Sequence, residues 1–411
     1  MTSQKVASLA KSITQSAADQ VGPYRFLVLG ASLYMMVAGT GSVYLLVAAL
    51  KPIASEFDWP RTVPSIAYAL QYLGGGLGGI LMGLWLDKAG MAKPALLGAC
   101  MLGAGSCLTH EVSAAWQLYA IYGLMMGLAG RGTLFSPLMV NITYWFEQRR
   151  GMAVGIVGSG QAIAGAMWPA IFQSGISDYG WRDTALGYGV FVFATMVPMS
   201  FVFLRKRPEV QATNANSSAS TDELPISPRL FTVLLAVAIV GCCTAMSLPL
   251  AHLMSHASDI GFSAFDGARL LSTMLICAAI SSMFGLGQLV RWLGPIGALI
   301  LLSTIQAVTL GLFPLAETLT ALYVVAAAFG LGYGGVLPSY PIIIREYLSA
   351  KGAGARTGIV VFFGTVGMAL GSGLGGISYD MTQSYAPAFY AGVLLNTGNL
   401  IVLAYLFRKL P

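Results

Sequence analysis

The chain has 411 residues, of which 56% are hydrophobic and only 9% charged, with a formal net charge of +6 and a mean hydropathy of +0.74. Roughly a quarter of the residues of an average soluble domain are charged, so a water-soluble enzyme of this size is excluded. The 50 glycines and 18 prolines lie in apolar sequence and not in polar tracts, which excludes a disordered or collagen-like chain and leaves a polytopic, all-α membrane protein.

Residues 1–23 are polar, with no short apolar core and small-residue cleavage site, so no removable signal peptide is expected. A bilayer crossing needs about 20 apolar residues. Such runs predict twelve transmembrane helices, at 25–50, 62–86, 94–109, 115–146, 151–176, 184–204, 229–256, 266–290, 295–315, 318–345, 355–379 and 386–407. An even number puts both termini on one side. That side carries 17 Lys and Arg residues against 4 on the other, a bias that assigns both termini to the cytoplasm and locates the chain in the inner, or plasma, membrane. The basic excess is then topological and implies no nucleic acid partner. The cysteines Cys100, Cys107, Cys242, Cys243 and Cys277 sit in apolar stretches without metal-ligand spacing, as helix-packing residues.

The longest polar stretch runs from Arg205 to Arg229 and divides the spans six and six. The expected organisation is a six-helix bundle at 1–204, a cytoplasmic linker at 205–228 and a second six-helix bundle at 229–411. A constant shift of 204 aligns Arg25 with Arg229, Gly83 with Gly287, Gly90 with Gly294, Leu118-Tyr119 with Leu322-Tyr323, and Pro137 with Pro341. Parallel repeats of this kind imply a central site between two bundles that rock around it.

The loop between spans 2 and 3, Gly83-Leu84-Trp85-Leu86-Asp87-Lys88-Ala89-Gly90, resembles the G-x-x-x-D-x-x-G signature of the major facilitator superfamily, with Met91 where a basic residue is usual. Further residues resemble its monocarboxylate transporter and oxalate/formate antiporter branch. These are Glu56 through Arg61, Gly127 through Pro137, Tyr144-Trp145-Phe146 before Arg149-Arg150-Gly151-Met152-Ala153, Gly180-Trp181-Arg182, and His252 before Gly261-Phe262-Ser263. The resemblance implies alternating access without ATP. It also implies an inner gate in which Asp87 meets Arg149 and Arg150, and contact between spans 2 and 11, whose glycine clusters would let the bundles slide. The chain departs from that branch in span 8, where the usual carboxylate-binding arginine is replaced by Met283, and in span 11, where Phe362-Phe363-Gly364-Thr365 stands in place of a lysine.

Arg131 is the one basic residue that topology leaves over. It lies midway along span 4, where a charge costs roughly 2.5–3.5 kcal/mol, and no acidic residue is at comparable depth. It is either a cavity-facing anchor for a carboxylate, which a planar guanidinium suits, or a structural residue bonded to carbonyls or water. His252 and His256, one turn apart in span 7, are candidate proton-coupling groups or merely satisfied polar residues. Tyr34, Tyr44, Tyr119, Tyr122, Trp168, Tyr333, Tyr340 and Phe362 could line a cavity, as could the amides Gln161 and Asn141, or they could pack between helices. The candidate substrate-binding set is Arg131, Tyr34, Tyr119, Gln161, Trp168, His252, Tyr333 and Phe362.

No metalloprotease, nucleophile-elbow or nucleotide-loop motif occurs, so no catalytic residue, metal or cofactor is expected. The expectation is a monomeric secondary transporter, a partner only of its solute and the bilayer. The favoured solute is a small monocarboxylate moving with a proton. The alternative is a larger planar neutral metabolite such as a vitamin, riboflavin-like.

Overall fold

The computed structural model describes residues 23–146, 150–204, 226–348 and 353–409, without the side chains of Asp87, Ser136, Arg150, Gly151, Ala353, Gly354 and Ala355. The described chain is helical almost throughout. Helices α1 (Tyr24–Phe57), α2 (Thr62–Ala89) and α3 (Ala92–His110) are followed by a composite α4. That element runs through Ala115–Ala120, a π-helical stretch Ile121–Arg131, Gly132–Leu134 and Ser136–Trp145. The helical run Arg150–Ser200 would be about 77 Å long if straight, far more than the roughly 30 Å hydrocarbon core. Gly180, at φ 84, breaks it into α5 (150–179) and α6 (181–200), since only a residue without a Cβ takes that conformation cheaply.

In the second half, α7 is Pro228–Asp259. Ala264–Ile280, a π turn Ser281–Gly285 and Leu286–Leu312 form one run broken at Gly294, giving α8 (264–293) and α9 (295–312). Then come α10 (Leu319–Tyr333 with Val336–Tyr347), α11 (Ala353–Thr382) and α12 (Ala386–Lys409). Twelve crossings result among the described residues. Gly90 and Gly294, equivalent under the 204-residue shift, share one backbone conformation, with φ 75 and ψ 177 at the first and φ 70 and ψ 169 at the second.

The surface is apolar where a lipid bilayer would lie. Leu84, Leu124, Val237, Leu394 and Ile401 are more than half exposed, while Gln71, Asn141, His252, Gln306 and Asn396 are buried. Within the first six helices α1 packs on α5 and α6, α3 on α6, and α2 on the π stretch of α4; in the second six, α7 packs on α11 and α12, and α8 on α10. The halves meet chiefly through α2 with α11 and α5 with α8. Most glycines of the Gly74–Gly79 cluster serve another contact than the one between halves. A Cβ on Gly74 would lie 2.3 Å from the Gly123 carbonyl oxygen and one on Gly78 2.0 Å from that of Leu128, so these two let α2 touch the backbone of α4. Gly76 faces Thr365 of α11.

Candidate functional site

Arg131 ends the π-helical stretch of α4, in the middle of the membrane-spanning part. Widened π turns recur at functional sites. Here the close glycine contact with α2 leaves the guanidinium room: the stem lies over Gly75, where a Cβ would come within 2.8 Å of Cδ, and Cζ sits 4.3 Å from the centroid of the Tyr72 ring. Among the described residues no carboxylate pairs with it. A desolvated cation–π contact is worth about 2 kcal/mol against the roughly 2.5–3.5 kcal/mol cost of a mid-membrane arginine. The protein therefore offsets most of the charge and leaves about 1 kcal/mol uncompensated, together with the guanidinium's own hydrogen-bonding fork.

Tyrosines from both halves lie within electrostatic range of this charge. Tyr44 of α1, Tyr68 of α2 and Tyr333 of α10 all interact electrostatically with Arg131, and the Tyr68 and Tyr72 rings lie 4.9 Å apart. Thr365 of α11 touches Gly76, one residue from the glycine under Arg131. The result is a cationic centre in contact with the Tyr72 ring, with tyrosines of both halves within electrostatic range.

The other residues singled out by sequence are dispersed. Trp168 is spoken for: Nε1 donates to the Val37 carbonyl at 2.9 Å, and the ring stacks on Phe172 with centroids 4.8 Å apart. Tyr34 is half-buried on α1, inside the first half. Gln161 is half-buried on α5 without a hydrogen bond among the described residues. Tyr119 lies at the far end of α4, remote from Arg131. Phe362 is half-buried, with its ring edge against Phe363 at 6.0 Å. Tyr122 and Tyr340 are wholly buried. Met283 is 60% exposed within the π turn of α8. Of the expected inner gate, Arg149 and the side chains of Asp87 and Arg150 lie outside the described residues, as does most of the 205–228 linker.

On the side away from the termini, hereafter the distal side, the halves are locked together by a cluster that sequence reasoning missed. Arg61, just before α2, donates from both terminal nitrogens to Asp259 at the end of α7 and from Nη1 to the Tyr385 hydroxyl at 2.9 Å, and it lies 3.5 Å over the Tyr379 ring. Lys51 donates to Ser258 and Asp259, each at 2.8 Å. Asp380 of α11 accepts from the backbone N–H groups of Arg61 and Thr62, both at 2.8 Å, and so caps α2 from the other half. Below this, Ser372 donates to the Ser65 carbonyl at 2.7 Å. Among the described residues every hydrogen bond and ion pair between the halves lies on this side. Burial alone would lower the Arg61 pKa, but its bonds to Asp259 and Tyr385 outweigh that and raise it. Burial also pushes the Tyr385 hydroxyl up to about 12.

His252 belongs to this closed side. It is fully buried, its Nε2 is 2.9 Å from the Ser372 carbonyl and its ring stacks on Tyr385 at 4.9 Å. Nε2 must therefore donate, which leaves Nδ1 as an acceptor with no partner. His256 sits a turn further, edge-on to Phe389. Glu56, Trp181 and Arg182 form a second distal cluster within the first half: Glu56 accepts from Trp181 Nε1 at 2.5 Å and from Arg182 Nε at 2.9 Å.

Residues 27–372 match the sequence profile of the Major Facilitator Superfamily. The chain belongs to that superfamily. Among its relatives, the chain is 29% identical over 372 residues to monocarboxylate transporter 13 of Rattus norvegicus, covering 88% of this chain and 83% of the relative. It is 23% identical over 350 residues to the uncharacterized MFS-type transporter YcxA of Bacillus subtilis, covering 81% and 83%. The superfamily fold is shared with a bacterial homolog of the human lysosomal transporter Spinster, solved inward-facing and unoccupied, at a TM-score of 0.67, 15% identity and coverage of 95% and 96%. A point mutant of the nucleoside transporter NupG aligns at a TM-score of 0.70, 13% identity and coverage of 94% and 99%. This superfamily member is thus a membrane transporter of a small molecule, and not an enzyme.

Proposed function

We propose that the chain is a secondary active transporter that moves a small organic monocarboxylate by alternating access, with the carboxylate held by Arg131. The observation that carries this is the guanidinium midway along α4, over the Tyr72 ring and without a carboxylate partner among the described residues. A substrate carboxylate would complete its hydrogen bonds and draw the tyrosines of the two halves together. The relatives named as monocarboxylate transporters support the same class of solute.

In this reading 1–204 and 229–411 are the rocking units, 205–228 and both termini are cytoplasmic in the inner membrane, and the protein works as a monomer. The closed distal side supports an inward-facing reading of the described state. Asp87, Arg149 and Arg150 close the opposite side in the alternate state. The coupling proton enters on Nδ1 of His252: an imidazolium there is buried without an acceptor, stacked on the Tyr385 ring that Arg61 also contacts, so protonation favours distal opening and links the proton to the transport cycle. Uptake by proteoliposomes tests the reading. Radiolabelled monocarboxylates are expected to accumulate when the pH gradient drives protons in the same direction. Flux of planar neutral metabolites such as flavins, with no carboxylate uptake, would replace it by the alternative that the aromatic residues also suit.

A further inference from the structure

The lipid-facing side of the second half carries a furrow separate from the Arg131 site. Helices α11 and α12 both pack on α7 but hardly on each other, and the gap between them, about 860 Å³, has α7 as its floor. Val233, Val237 and Val240 pave the floor, with Ile359 and Phe363 on one wall and Leu394 on the other. Exposures of 58% at Val237 and 72% at Leu394 show that the furrow opens sideways to the bilayer. None of the tyrosines around Arg131 lines it.

Its two ends differ in chemistry. Arg229 and Arg356, at the starts of α7 and α11, both line the furrow toward its termini-side mouth, and no acidic side chain lines it. One terminal nitrogen of Arg356 is buried without an acceptor, and Asn399, only 2% exposed and lining the furrow, has its Oδ1 unpartnered. From Arg229 to Thr244 the floor runs about 22 Å, close to the roughly 20–22 Å of one leaflet with its headgroups. The furrow thus has the length of a single lipid, an apolar body and a cationic end at headgroup height. Guanidinium pairs bind phosphate with directed, bidentate hydrogen bonds.

We propose that this furrow binds one anionic phospholipid of the termini-side leaflet, with acyl chain along α7 and phosphate between Arg229 and Arg356. The full chain, purified from vesicles of phosphatidylcholine and phosphatidylglycerol in a 4:1 ratio, is examined by native mass spectrometry for retained lipid. The wild type is expected to keep one phosphatidylglycerol, with a preference over phosphatidylcholine of roughly 30-fold from two surface cations. Arg229→Gln with Arg356→Gln should erase that preference, and Arg229→Gln alone, at an exposed helix start, should weaken it. Gly398→Leu adds a side chain to the furrow at a position whose Cβ would meet no atom within 4 Å. It should lower retention of both lipids without lowering the melting temperature. Equal retention of the two lipids by the wild type, or an unchanged preference in the double variant, overturns the proposal. Undiminished retention in Gly398→Leu places the lipid elsewhere and overturns it too.

Discussion

Replacing Arg61 by Gln should release the distal side. The guanidinium makes two bonds to Asp259 and one to Tyr385 and covers the Tyr379 ring, and its side chain is 12% exposed against 17% for Asp259. An exposed pair is worth about 0–1 kcal/mol, and breaking a fully buried one costs about 3–5 kcal/mol. This pair lies between, so about 2 kcal/mol of distal closure is lost, or roughly 30-fold in the open-to-closed ratio. If the distal-open state holds about 1% of the wild type, it rises to about a quarter. Ser65 is a suitable reporter, being wholly buried where α2 meets Gly376 and Ser372. On a background lacking the five native cysteines, Ser65→Cys should react with an impermeant thiol reagent about 10–30 times faster once Arg61→Gln is added. Asp259→Asn should act in the same direction, and the pair of changes should fall short of additivity because the partners are shared. A labelling rate within about twofold of the parent would refute the latch.

Four further outcomes follow from the same geometry. Ser65→Cys labelling should rise as pH falls from 7.5 to 5, since a proton on His252 Nδ1 has no acceptor in the closed state, and His252→Asn should flatten that profile. Tyr385→Phe should open the distal side by the worth of one hydrogen bond, about 1 kcal/mol; the hydroxyl, held up to about 12 chiefly by burial, stays protonated below pH 9, so this effect should not vary with pH. Gly78→Ala should lower the melting temperature, because its Cβ would meet the Leu128 backbone at 2.0 Å and overpacking costs about 1–3 kcal/mol, whereas Gly83→Ala, with nothing within 4 Å, should leave it unchanged or higher. In intact cells, a cysteine at Asp178 should react with an impermeant reagent and one at Ser218 should not; the reverse pattern would invert the orientation.

Much of the architecture was readable because the bilayer imposes it. Apolar runs of one membrane thickness give the crossings, and the shift that pairs Gly90 with Gly294 marks two corners of the same backbone shape. Arg131 stood out because no topological role accounts for it. Its placement over Tyr72 was not legible, since the contact joins α2 to α4 through glycines that carry no signal of which helix they face. Nor was the distal latch. Arg61 and Asp259 are 198 positions apart and Arg61 and Asp380 are 319 apart, and in the sequence Lys51 and Arg61 look like ordinary loop charges. The one local hint was the Glu56–Arg61 segment shared with the transporter branch, whose partners only the fold reveals. Trp168 illustrates the converse: an aromatic in a span reads equally as ligand contact or packing, and only the fold reveals its bond to Val37 and its stack on Phe172.

The most direct measurement of the central claim is binding of a monocarboxylate to the purified protein with Arg131 intact, changed to Lys, and changed to Gln. Lysine keeps the charge and loses the planar fork, so affinity should fall about tenfold, and glutamine should lose about 100-fold or more, as expected for about 3 kcal/mol in a charge-assisted pair. Melting temperatures should stay within a few degrees, because the contact with Tyr72 offsets most of the cost of burying the charge. An Arg131→Gln protein that remains folded and binds the same carboxylate with wild-type affinity would contradict the assignment of Arg131 as the anchor.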